Sequence, residues 1–258
     1  MTLRQAARIA GFASVTAGML PVFVAHEALT RQSDRERVRE RWVAAWAGAL
    51  LALFGVRETV RGEAPRGTRG RLIVASHRST ADILLLLKII GGRMVSRSDL
   101  ARWPLVGVAA RSVGTLFVDR KDASSGATAV RTIRTRLAAG DTVIVFPEGT
   151  TFPDDEVRPF HAGAFVAAAK SGADIVPVGI AYETGSGAAF VNESFPAHLA
   201  RMAAAPPSRV ALCIGDAIPV GHGNAKASDL RDLAHEHVQS LVRNARSAVD
   251  PERSPSRS

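Results

Sequence analysis

Five short apolar runs punctuate this 258-residue chain, near residues 71–76, 114–119, 142–147, 174–181 and 209–215. Between and after them lie segments with helical spacing, near 79–90, 124–139, 161–171 and 228–247; in the second, Val130, Ile133 and Leu137 share one side. Strand-like runs alternating with amphipathic helices predict βαβ units and hence an α/β domain with a mostly parallel central sheet flanked by helices. Upstream the pattern changes. Ile9 to Ala25 is almost wholly apolar, Trp42 to Val56 is apolar again, and the arginine-rich stretch Arg31 to Arg41 separates them. Each run falls short of the roughly 20 residues that cross a bilayer upright. The expectation is an N-terminal apolar helical hairpin over residues 1–60 that dips into one leaflet with its arginines at the headgroups, two crossings by longer helices being the alternative. The α/β domain is expected over 61–249, with a polar, proline-bearing and disordered tail over 250–258.

Composition narrows the class. The net charge of +9 calls for an acidic partner, and anionic lipid headgroups, CoA phosphates and nucleic acid all qualify. An aromatic content of 5% leaves few stacking platforms, and no zinc-finger spacing is present, so no nucleic acid is expected. The single cysteine, Cys213, lies in an apolar strand and reads as a packed thiol. His235 and His237 lack i,i+4 spacing, so neither a metal nor a cofactor is expected. His161, just before Ala162-Gly163, reads as a helix-start residue. Arg4 and Arg8 precede the first apolar run as in a signal peptide, but no small-x-small cleavage site follows around Val22 to Ala28.

The chemistry-bearing segments sit at the ends of the strand-like runs, where open α/β sheets bind ligands. His77-Arg78-Ser79-Thr80-Ala81-Asp82 follows the first run. A neutral imidazole can take a proton from an attacking hydroxyl if a carboxylate anchors its other nitrogen, and Asp82 is spaced to do so. The competing reading has His77 cap the next helix while Asp82 sits on its solvated face. Gly114 to Arg120 ends in Asp119-Arg120, and Thr142 onward ends in Pro147-Glu148-Gly149-Thr150. Taken alone, Arg120 also reads as a surface arginine and Glu148 as an exposed loop carboxylate.

In order and spacing, His77 and Asp82, Gly114 to Arg120, Phe146 to Thr150 and Ile175 to Ile180 resemble the four blocks of the glycerolipid acyltransferases, in particular the bacterial 1-acyl-sn-glycerol-3-phosphate acyltransferases. The resemblance runs from about residue 70 to about residue 216. It implies transfer of a fatty acyl group from acyl-CoA or acyl carrier protein to a lysophospholipid hydroxyl, giving phosphatidic acid, with His77 as general base and Asp82 orienting it. It also implies that Arg120 binds the acceptor phosphate and that Glu148, Gly149 and Thr150 shape the acceptor site. Arg97, in a region where relatives carry basic residues, is a further contributor. Two departures stand out. Ser76 precedes the histidine where asparagine is common, and the usual E-G-T-R reads Glu148-Gly149-Thr150-Thr151, so an arginine associated with the acceptor phosphate is missing. Either Arg158 compensates or the acceptor is another lysolipid, such as lyso-ornithine lipid. A cytoplasmic donor places the enzyme on the cytoplasmic face of the membrane, against an anionic surface. A thioesterase that uses the same pair to activate water is the nearest enzymatic rival.

Overall fold

The computed structural model describes residues 1–64, 67–103, 106–118, 123–221 and 225–250. Two helices open the chain, α1 (Leu3–Leu29) and α2 (Arg35–Phe54), joined by a 3-10 turn at Gln32–Asp34. Both outrun the apolar stretches that signalled them, because polar residues with good helix propensity continue each helix into the linker. The pair packs as a hairpin, with Trp46 Nε1 donating to Thr16 Oγ1 at 3.1 Å and Trp42 Nε1 hydrogen-bonded to His26 Nδ1 at 3.0 Å. α2 ends at Gly55, whose φ of 73° requires the left-handed region that glycine alone enters freely.

The rest alternates strand and helix: β1 (Val56–Arg61), β2 (Arg71–Ala75), α3 (Thr80–Ile89), β3 (Arg93–Arg97), α4 (Val106–Ser112), β4 (Leu116–Val118), α5 (Ala123–Ala138), β5 (Thr142–Val145), α6 (Gly163–Ser171), β6 (Asp174–Tyr182), α7 (Phe195–Ala204), β7 (Ser208–Ile214) and α8 (Ala227–Val249). The sheet runs β1-β7-β6-β2-β5-β3-β4. All neighbours are parallel except β6 and β7, so β1 and β7 form a reversed flank on an otherwise parallel sheet. The α/β architecture with a mostly parallel sheet is therefore the one that the run pattern predicts. Two strands escape that pattern for a physical reason. β1 and β3 are rich in charged residues, and β1 lies at an edge, where charge is tolerated and discourages pairing with other chains. The sheet thus begins at Val56, inside the segment assigned to the hairpin. α4 and α7 also went unsignalled; each is short.

Alternation along β2 builds two cores. Ile73 and Ala75 face the layer containing Val43, Ala47 and Leu51 of α2 and Leu85 and Leu86 of α3. Leu72 and Val74 face the layer of Ile133 and Leu137 from α5, Phe165 from α6 and Val238 and Val242 from α8. Burying such side chains is worth about 1.5–3 kcal/mol each against exposure. α1 is tied down from its first turns. The buried Arg8 donates to the Ala205 carbonyl at 2.6 Å, at the end of α7, and Gln5 Nε2 donates to Ala200 at 2.9 Å.

Candidate active site

β2 and β5 are neighbours, but their onward connections diverge: the chain leaves β2 for β3 on one side and leaves β5 for β6 on the other. A crevice at the C-terminal strand ends follows from that divergence, and His77 stands in it. Two residues on, Ser79 caps α3 in extended conformation, with its side chain and that of Asp82 forming a capping box. Asp82 is fully buried, so the reading that placed it on a solvated face does not hold. Its Oδ2 accepts from His77 Nδ1 at 3.0 Å and from the backbone N–H groups of Arg78 at 2.6 Å and Ser79 at 2.8 Å. Because an ionised carboxylate only accepts, His77 carries its proton on Nδ1 and keeps Nε2 as the basic nitrogen. The imidazole lies flat on Phe146, with centroids 3.8 Å apart and planes 9° from parallel.

The turn after β5 is built around two groups. Gly149 adopts φ 81°, a left-handed conformation that glycine enters without strain. Glu148 is buried, and its two oxygens accept from the backbone N–H of His77 at 3.0 Å and of Arg158 at 2.9 Å. Burial pushes its carboxyl pKa above the usual range, against the pull of these two donors. Glu148 therefore acts on the site by pinning the histidine loop. Glu148→Ala leaves both half-buried N–H groups without this acceptor, each at a cost of up to about 1–3 kcal/mol. A lower denaturant midpoint and a fall in turnover are expected together, measured by urea titration and steady-state assay on the same preparation.

His77 opens onto a cavity of about 980 Å³, at the top of the roughly 300–1,000 Å³ usual for ligand pockets. Its lining is largely apolar, with Phe12 of α1 and Trp46 and Leu50 of α2 contributed by the N-terminal hairpin and Ile83 and Leu84 by α3. The lining also includes Gly149, Thr150, Thr151 and Arg97, and Trp103 and Phe195, whose ring centroids lie 4.9 Å apart. A base with one committed nitrogen, at the head of an apolar cavity, is suited to deprotonating a hydroxyl on an amphiphile.

Residues 57–181 match the family model described as acyltransferase. That segment, just under half of the chain, resembles the acyltransferases. Over 248 residues it is 29% identical to the lyso-ornithine lipid O-acyltransferase of Pseudomonas aeruginosa, which covers 93% of this chain and 91% of that protein. It is similar, at 26% identity over 215 residues, to the 1-acyl-sn-glycerol-3-phosphate acyltransferase of Neisseria gonorrhoeae, with 79% of this chain and 82% of the relative aligned. The fold is that of the crystal structure of the 1-acyl-sn-glycerophosphate acyltransferase from Thermotoga maritima, with a TM-score of 0.75, 22% identity and 94% of each chain covered.

Within this fold the residues singled out in the sequence take different places. His77, Gly149, Thr150 and Arg97 reach the cavity wall, while Asp82 and Glu148 stand behind it. Arg97 is paired through two nitrogens with Asp99, at 3.1 and 3.0 Å. Arg158 is not on the wall; it is held by Asp154 at 2.8 Å and by Glu156, over the ring of Phe152. Arg120 lies outside the described residues, as do Asp119 and the tail from 251 to 258. His161 serves a turn, its N–H donating to the Pro147 carbonyl at 2.9 Å. The sequence reading missed Tyr182, whose phenol donates to Asp82 Oδ1 at 2.6 Å. It stands at the end of the β6 run, the kind of position that had drawn attention to His77 and Glu148.

Proposed function

We propose that this acyltransferase moves a fatty acyl group from the thioester of acyl-CoA or acyl carrier protein to the hydroxyl of a lysolipid, and that the acceptor is lyso-ornithine lipid. The observation that carries the transfer reaction is His77, fixed by Asp82, at the head of an apolar cavity large enough for an acyl chain. Nε2 takes the hydroxyl proton as the oxygen attacks the thioester carbonyl. The new C–O bond forms, the C–S bond breaks, and the imidazolium returns the proton to the departing thiolate. Asp82 stabilises the imidazolium between those two moments. No side-chain nucleophile is used.

Two observations favour the amino-acid lipid as acceptor. Thr151 sits on the cavity wall where the E-G-T-R pattern has an arginine, and Arg158 does not reach that wall. The Pseudomonas aeruginosa relative, named for lyso-ornithine lipid, also aligns over nearly all of this chain. 1-Acyl-sn-glycerol 3-phosphate is the second reading, and Arg97 on the wall favours it, although Asp99 already balances that charge.

The same reading seats the protein at the cytoplasmic face of an anionic membrane. α1 is, among the described residues, the helix long and apolar enough to cross a bilayer, and Val22, Val24 and Leu29 on it are exposed. Its first turns are bound to α7, and Phe12 and Thr16 line the cavity of His77, which favours lying in one leaflet over spanning both. The test is acyl transfer from radiolabelled acyl-CoA with lyso-ornithine lipid and lysophosphatidic acid offered in parallel, products being separated by headgroup. Acylated ornithine lipid as the main product supports the acceptor. Phosphatidic acid instead moves it to the second reading, and free fatty acid formed without any acceptor makes the protein a thioesterase.

A further inference from the structure

We propose that Tyr182 is a positioning residue for the reaction, aiming Asp82 at His77 from behind, an inference that rests on the general-base reading above. The two oxygens of Asp82 are served unequally. Oδ2 has three donors, His77 Nδ1 and two backbone N–H groups, whereas the hydrogen bond found at Oδ1 is the one from the Tyr182 phenol at 2.6 Å. Both side chains are buried. With the phenol in place the carboxylate plane is fixed, and the charge that would otherwise fall on His77 is shared with a neutral donor. Tyr182 does not line the cavity, so it acts through Asp82 and not on substrate.

Tyr182 is itself held. Its carbonyl accepts from Arg246 Nη1 at 2.5 Å, on the last turn of α8. Arg246 also binds Asp155, at 2.5 and 3.0 Å, and Asp155 pairs with the buried Arg78 beside His77. Arg78 in turn donates its backbone N–H to Asp82. The contacts close into a ring that starts and ends on the catalytic carboxylate and passes through the C-terminal helix. Burial and the Asp82 charge push the phenol's pKa well above its usual 10, so it remains a donor throughout any assay range. The other charged or titratable groups bearing on the pair are Arg78 on the same loop, Glu148 after β5, Asp154 and Asp155 on the loop beyond it, His198 on α7 and Arg246 on α8. Tyr182→Phe leaves all of them in place.

The experiment compares the full chain with Tyr182→Phe in pH profiles of kcat/KM, using a lysolipid acceptor that the wild type turns over. Loss of the phenol is expected to lower kcat roughly tenfold, the worth of a hydrogen bond to a charged group. It leaves more of the Asp82 charge to stabilise the imidazolium, so the acid limb moves up by about half a pH unit. A limb that stays in place, with a lower melting temperature alone, overturns the proposal in favour of simple packing. A second measurement needs no turnover. Tyr182 is the chain's single tyrosine, so [13Cζ]tyrosine labelling gives one resonance, expected to be displaced in Asp82→Asn. Coincident resonances overturn the proposal even if Tyr182→Phe does not fold. Full activity in His77→Ala would instead strike the general-base reading itself, whatever the resonance shows.

Discussion

His77→Ala is expected to lower kcat for acyl transfer by about 10²- to 10⁴-fold, the contribution usual for a positioned general base, with little change in thermal midpoint. Among the described residues the imidazole's side-chain hydrogen bond is to Asp82 and it stacks on Phe146, so its removal strands no backbone group there. Asp82→Ala should behave differently. That carboxylate also accepts from Arg78 and Ser79 N–H and closes the capping box of α3. Losing a cap alone costs about 0.5–2 kcal/mol, so the second variant should lose both activity and melting temperature. Steady-state kinetics and a thermal scan on the two proteins separate chemistry from architecture. A His77→Ala protein within twofold of wild type would end the general-base mechanism.

Gly179→Ala is expected to be the most destabilising small substitution in the sheet. β6 runs beneath α8, and a Cβ at Gly179 would overlap the backbone of Leu241 and Val242. Those are helix backbone atoms, so no side-chain rotation relieves the clash, and the neighbouring contacts are built from similarly small groups, Ala181, Ala211 and Ala245. Overpacking of this kind costs about 1–3 kcal/mol, equivalent to a fall of roughly 2–12 °C in a chain of this size. Tyr182 lies three residues along the same strand and takes its second anchor from α8, so activity should decline before the protein unfolds. Circular dichroism melting with activity measured across the same temperatures checks both. An unchanged melting temperature would mean that the strand and helix are less closely packed than described.

The sheet was legible because five strands are buried on both faces and so read as continuous apolar runs. β1 was not, since an edge strand with the sequence Val-Arg-Glu-Thr-Val-Arg needs burial on one side only. The His77–Asp82 pair was legible through its fixed spacing at a strand end. The partners of that pair were not. Tyr182 is a hundred residues from Asp82 and Arg246 further still, and nothing in local spacing encodes a meeting that the fold alone arranges. The cavity was equally hidden, because Leu50, Ile83 and Leu84 carry the same apolar signature whether they line a space or fill one.

Because Phe12, Thr16, Trp46 and Leu50 of the hairpin are wall residues of the cavity that His77 lines, the proposed anchor and the proposed measuring surface for the acyl chain would be one object. A chimera that exchanged the first 55 residues with a relative's would then exchange its fatty-acid preference as well. Lineages that remodel how such a protein sits on its membrane would be expected to change, in the same step, which lipids that membrane receives.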